Sequence, residues 1–196
     1  MLKFFLGFAV AVLVVLTTCF CYVRFGFVDP RADLSVGWLE SKLAMPALDA
    51  AVDRRAPEAK NPIQPTYANL IAGMKIYQPN CASCHGDIQH SHAQLAEALY
   101  PRAPQFVEDA PDMPENQNFY IIQHGIRLSG MPAWKDALSE QEMWQLTTFL
   151  SHMDKLPPQV SAAWKTTAGG SEGGDSSHDG SKMEMKDKKG MDMPMH

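Results

Sequence analysis

Cys81-Ala82-Ser83-Cys84-His85 constrains this chain more than any other stretch. Two thiols separated by two residues can each add across a vinyl group of a haem. The histidine that follows then sits under the iron as an axial ligand, so one pentapeptide both attaches and coordinates the cofactor. A redox C-x-x-C pair would want a βαβ context, and a zinc site would want a second pair of ligands at ordered spacing. The sequence shows neither, so the expected cofactor is one covalently bound haem c.

At 196 residues the chain has room for one domain of ordinary size with appendages. Its formal charge of −5 is unevenly spread: residues 66–160 carry five Lys or Arg against ten Asp or Glu, which accounts for the whole excess. An acidic domain gives no support for nucleic-acid binding and points to a locally basic partner.

The other two cysteines, Cys19 and Cys21, lie in an apolar run from Phe4 to Val23, bounded by Lys3 and Arg24. Twenty residues rise about 30 Å as a helix, enough for a bilayer core. The two thiols read as lipid-embedded packing groups rather than a disulfide, and Leu16-Thr17-Thr18-Cys19 only partly fits an acylation site. The run is longer than the apolar region of a cleavable signal and no small-residue cleavage site closely follows it. The expectation is therefore an uncleaved single-pass anchor over residues 1–24. Thioether attachment in bacteria takes place outside the cytoplasmic membrane, which makes the anchor N-in with the haem domain on the periplasmic side.

Residues 25–65 read as a linker with short helices and scattered prolines. Leu34, Trp38, Leu39 and Leu43 form one apolar stripe that Pro46 ends or restarts, and Ala47 to Arg55 is a second short helix. A plain spacer would not need Trp38, which favours a segment that docks on something. Residues 66–160 form the expected domain, and residues 161–196 the expected disordered tail, rich in Gly, Ser and Asp. The tail carries Met183, Met185, Met191, Met193, Met195 and His196. Thioethers are soft donors that select Cu(I), so copper is a possible second metal there, although nearby lysines oppose it.

Within the domain, Leu70, Gly73, Met74 and Tyr77 share one face of a helix leading into the pentapeptide. Gly73 in mid-helix costs about 1 kcal/mol relative to Ala, which suggests close approach of a second helix. That partner starts at Ser139 with Glu142 three residues on, a capping box, and carries Met143, Leu146, Leu150 and Met153 at helical spacing until Pro157-Pro158 stops it. A third helix spans Asn116 to Gly125. For the sixth iron ligand, Gly130-Met131-Pro132-Ala133-Trp134 offers a soft thioether on a loop with tight backbone approach. Met113, His124 and the pair His90/His92 are the alternatives. Methionine opposite histidine favours ferrous iron.

Together, Cys81–Gly86, Gln123-His124-Gly125-Ile126-Arg127, Gly130–Trp134 and Leu138–Trp144 resemble a class I cytochrome c, of the membrane-anchored, mono-haem kind found in bacterial respiratory chains. The likeness covers about residues 67–157. It implies an all-α fold of three to five helices around one haem, thioethers at Cys81 and Cys84, His85 as proximal ligand and Met131 as distal ligand. It also implies a proline carbonyl that holds the proximal imidazole, with Pro101 and Pro104 as candidates and Pro104 favoured. The implied role is a non-enzymatic single-electron carrier working with redox donor and acceptor proteins in a membrane respiratory complex. A haem peroxidase or gas sensor with a labile Met131, and a copper-handling protein, are the alternatives.

Overall fold

The computed structural model describes residues 1–27 and 29–169. The methionines and histidine expected to bind copper lie outside the described residues. Every element among the described residues is helical. The fold among them is all-α, as the sequence led us to expect.

The first helix, α1 (Leu2–Arg24), is long and apolar enough to cross a membrane, with a mean hydropathy of 2.6 and none of its residues buried against the rest of the chain. It stops in a complete Schellman motif. Gly26, at φ 74°, lets its own N–H reach the Val23 carbonyl and the Phe27 N–H reach the Tyr22 carbonyl, both at 3.2 Å. The accompanying apolar contact is the stack of Tyr22 on Phe27, with centroids 5.9 Å apart.

The second helix, α2 (Trp38–Arg55), differs from expectation. Pro46 neither ends nor restarts it; one helix of 18 residues runs through. A proline removes one intrahelical hydrogen bond and crowds the preceding turn. The ends of α2 are tied to the domain on either side of Pro46. Glu40 accepts a hydrogen bond from the Tyr100 hydroxyl, and Val52 is buried. Asp53 accepts from the Gln117 amide at 3.1 Å, and just beyond the helix the Pro57 carbonyl accepts from Asn116 at 2.9 Å. Farther on, the Asn61 amide reaches the Thr148 hydroxyl at 2.8 Å. Much of the segment read as linker thus lies on the domain.

The core is the crossing of α3 (Tyr67–Asn80) with α6 (Glu140–Leu150). Thr66 caps α3 by accepting the Asn69 N–H, and Ser139 with Glu142 forms the expected reciprocal capping box on α6. Met74 and Tyr77 of α3 share one buried cluster with Leu146, Phe149 and Leu150 of α6, and Leu70 of α3 is buried as well. Gly73 is the point of contact: a Cβ built there would lie 2.3 Å from the Gln145 carbonyl oxygen and 2.6 Å from the Phe149 Cβ. Two short helices complete the site end of the domain, α4 (Ala82–His85) immediately after α3 and α5 (Glu115–His124) against α6. Phe119 of α5 stacks on Trp144 of α6 with centroids 3.9 Å apart.

At the C-terminal end α6 stops at Leu150, and a short turn over Met153–Lys155 follows. Pro158 does not terminate a helix but opens α7 (Pro158–Gly169). Proline suits a first helical position, where its missing N–H has no partner to lose. Residues 161–169, expected as the start of the tail, therefore belong to the folded domain. Val160, Trp164 and Ala168 are buried, and Trp164 meets Phe149 and Tyr77 edge-on at centroid distances of 5.2 and 5.9 Å.

Gly73→Ala should improve intrinsic helix propensity by about 1 kcal/mol yet lower stability overall. The new methyl must push two backbones apart, an overpacking cost of about 1–3 kcal/mol or more. Denaturant unfolding of the variant should show a lower midpoint with unchanged helical content before the transition.

Candidate functional site

The pentapeptide occupies the single turn of α4 that α3 delivers. Cys81 closes α3, its N–H bonded to the Tyr77 carbonyl at 2.8 Å, and its own carbonyl accepts from Cys84 and His85 at 3.1 and 2.9 Å. The turn places Cys81, Cys84 and His85 at one end of the helix pair with both thiols free. Burial, with Cys84 adding to it, pushes the Cys81 thiol up to about 12. It is therefore a neutral thiol at physiological pH. Among the described residues, no three His, Cys, Asp or Glu side chains gather as a metal cage.

The His85 Nδ1 lies 2.9 Å from the Pro104 carbonyl oxygen. A carbonyl only accepts, so Nδ1 carries the hydrogen and Nε2 keeps its lone pair. Burial lowers the His85 pKa, while the Pro104 carbonyl works against that; the net direction is downward, toward the neutral ring. A neutral imidazole with one nitrogen anchored and the other free is the form that ligates a metal. Phe106 stacks on the ring at a centroid distance of 4.2 Å and 4° between planes, and its N–H bonds the His85 carbonyl at 3.0 Å.

Two residues that the sequence did not single out hold this arrangement. Gln105 spans the gap between segments: its amide nitrogen donates to the carbonyls of Cys84 at 3.0 Å and Ala103 at 2.9 Å, and its oxygen accepts the Ala93 N–H at 2.7 Å. Asp87 organises the turn after the pentapeptide. Burial opposes its charge, but donors from the His90 N–H, the Gln78 amide and the Gln89 N–H outweigh that and keep the carboxyl below its ordinary pKa. Neither role is carried by a motif; each appears only when distant segments meet. Gln78 also accepts from the Trp164 indole at 2.7 Å, so α7 is wired to the turn beside the pentapeptide. The buried Tyr77 hydroxyl donates to the Gly86 carbonyl at 2.7 Å, fixing the residue next to His85.

Met131 sits half-buried on a separate segment that folds back on the end of α5. Its carbonyl accepts the Ile126 N–H at 3.1 Å, and its N–H donates to the Ser129 hydroxyl at 3.1 Å. The loop closes against Gly125, at φ 64°, where a Cβ would lie 2.6–2.7 Å from the backbone of residues 131–133. Only glycine meets both demands. The alternative ligands occupy other surroundings. The Met113 carbonyl accepts from the Asn118 amide, and His124 is exposed with its ring against Tyr120. His92 faces Glu97 and Glu108, and His90 faces Asp87.

The sequence from α3 to the end of α6 also carries a family signature. Residues 68–150 match the family model described as cytochrome C oxidase, cbb3-type, subunit III. Over these residues the chain is similar to the cytochrome c domain of that family. The donor set suits the haem that this family implies: two free thiols and a neutral, anchored imidazole on one helical turn. No curated protein matches the chain. Among solved structures, a chain of the Kuenenia stuttgartiensis reducing HAO-like protein complex is similar at 22% identity and a TM-score of 0.42, over 50% of this chain and 50% of that one. This chain thus spans half the length of that relative.

Tyr77→Phe should keep the aromatic packing of the domain and remove one hydroxyl. The Gly86 carbonyl would be left without its buried donor, a cost of about 1–3 kcal/mol. Thermal unfolding should shift downward, and the haem-loaded spectrum should broaden as His85 loses a fixed neighbour.

Proposed function

We propose that this chain is a membrane-anchored single-electron carrier of a bacterial respiratory chain, holding one haem c through thioethers at Cys81 and Cys84 and through His85 and Met131 as axial ligands. The observation that carries this reading is the hydrogen bond from His85 Nδ1 to the Pro104 carbonyl, which leaves Nε2 as the donor. Bound there, haem supplies an iron that cycles between ferrous and ferric without net bond making. The work of the chain is to hold and tune it. Cys81 and Cys84 attach it, and Pro104 fixes the imidazole tautomer and makes the ring a stronger donor. The Gly125–Trp134 loop presents a neutral thioether that favours the reduced state.

With His85 and Met131 both ligating, a bound haem would keep no open position for oxygen or peroxide, which is why we read a carrier rather than a peroxidase or gas sensor. Helix α1 serves as the anchor, N-in, with the cytochrome c domain on the extracytoplasmic face of the cytoplasmic membrane. The cbb3-type oxidase named in the family description is the kind of respiratory complex in which such a domain passes electrons onward. The acidic charge of residues 66–160 fits a basic docking face on the donor or acceptor.

Met131→Ala should keep the haem attached while lowering the reduction potential and opening ferrous iron to carbon monoxide. Redox titration and absorption spectra with and without the gas test this. An unchanged potential together with indifference to carbon monoxide would reassign the ligand, with Met113 examined next.

Attachment is tested separately. Replacing Cys81 and Cys84 with Ser should abolish haem staining on denaturing gels, whereas His85→Ala should retain the stain and lose the low-spin spectrum. A full-strength haem band from the double cysteine variant would overturn the covalent reading.

A further inference from the structure

The first half of α2 exposes several large apolar side chains. Trp38, Leu39 and Leu43 are 75%, 60% and 63% exposed, although they belong to a helix tied to the domain near both of its ends. The fastenings are Glu40 to Tyr100, the buried Val52 and Asp53 to Gln117. At 100° per residue, Trp38, Leu39, Lys42, Leu43 and Pro46 fall on one arc, roughly opposite the side of Glu40, Leu48 and Ala51. Asp53 returns to that arc farther along, so α2 meets the domain by different sides along its length, and in its first half the tie is the Glu40 bond. There Trp38, Leu39 and Leu43 stand on the side away from that bond.

What lies within reach of that face is set by chain length. Residues 25–37 join the end of α1 to Trp38 and span at most about 45 Å when fully extended. The turn at Gly26 shortens this. The end of α1 also carries the aromatic and basic residues that suit a membrane boundary: Tyr22 stacks on Phe27, and Phe25, Phe27 and Arg24 are exposed around it. Trp38 with neighbouring leucines and the long stem of Lys42 makes a second group of the same kind. Tryptophan has an apolar body and a polar N–H suited to the level where head groups meet acyl chains. The charges of α2 are balanced, Lys42, Arg54 and Arg55 against Glu40, Asp49 and Asp53, so apolar insertion rather than attraction to anionic lipid would drive contact.

We propose that the first half of α2 rests on the bilayer surface, with Trp38, Leu39 and Leu43 inserted at the head-group boundary, so that α2 is a strut setting the height and orientation of the cytochrome c domain rather than a free tether. The inference rests on the reading of α1 as the anchor.

The test uses the full haem-loaded chain in phosphatidylcholine vesicles, with and without lipids brominated near the head-group end of their acyl chains. Subtracting the emission of Trp38→Phe from that of the unaltered protein isolates Trp38. Most of this difference emission should be lost in the brominated vesicles, and added salt should not restore it. Replacing both Leu39 and Leu43 with Glu, with Trp38 kept, should abolish the bromine-dependent loss while leaving haem absorption and unfolding in detergent unchanged. Undiminished Trp38 emission in brominated vesicles would overturn the proposal. So would shielding that rises with protein concentration and ignores bromine, since a second copy would then cover the face. Early unfolding of the double variant in detergent would also overturn it, by making the face part of the domain's own packing. An alkaline wash separates the two readings: release of the protein from vesicles refutes the anchor, whereas a retained protein with unquenched Trp38 refutes the strut alone.

Discussion

The distance between α3 and α6 is the constraint on which the rest of the structure depends. At Gly73 the two backbones approach so closely that a single methyl group has no room. One turn farther on, Tyr77 packs against both Phe149 and Trp164. Its hydroxyl can then reach the residue after the pentapeptide. Every position in the site is measured from this contact, because α4 is a continuation of α3 and moves with it. A wider crossing would carry Cys81 and His85 away from the segment that brings Pro104.

That segment is long and irregular, and polar bonds rather than apolar area hold it in place. Gln105 bonds the carbonyls of Cys84 and Ala103 and the N–H of Ala93, three points of one connection. Asp87 performs the same service for the turn nearer α4. Buried polar groups with all partners present specify one geometry better than an apolar cluster, which tolerates sliding. An imidazole that is to ligate a metal would need such definition, since a small tilt redirects its lone pair.

What was legible in the sequence was local. The Cys81–His85 motif, the Ser139–Glu142 box, Gly125 as a helix end and the apolar run of α1 each carry their meaning within a few residues. Gly73 was legible for a related reason: its cost in a helix demands a tertiary explanation. The prolines misled, because proline is both a helix breaker and a good first residue. Pro158 starts α7 and Pro46 lies inside α2, and only the packing of Val160, Trp164 and Val52 separates those meanings. Gln105, Asp87 and the place of Trp164 in the core were not legible, since their partners are distant in the chain and nothing in the residue types announces them.

The indole bond from Trp164 to Gln78 closes a loop of 86 residues. Contacts of such separation are costly to form early, since closure entropy must be met before the contact contributes. Chain order adds to this: the pentapeptide leaves the ribosome well before α7 exists. Until α7 is in place, Tyr77 and Phe149 lack the wall that Trp164 provides, and Gln78, which also holds Asp87, lacks one of its two partners. The helix thus works as a bolt: it closes the chain on the turn beside the pentapeptide and on the core in a single contact.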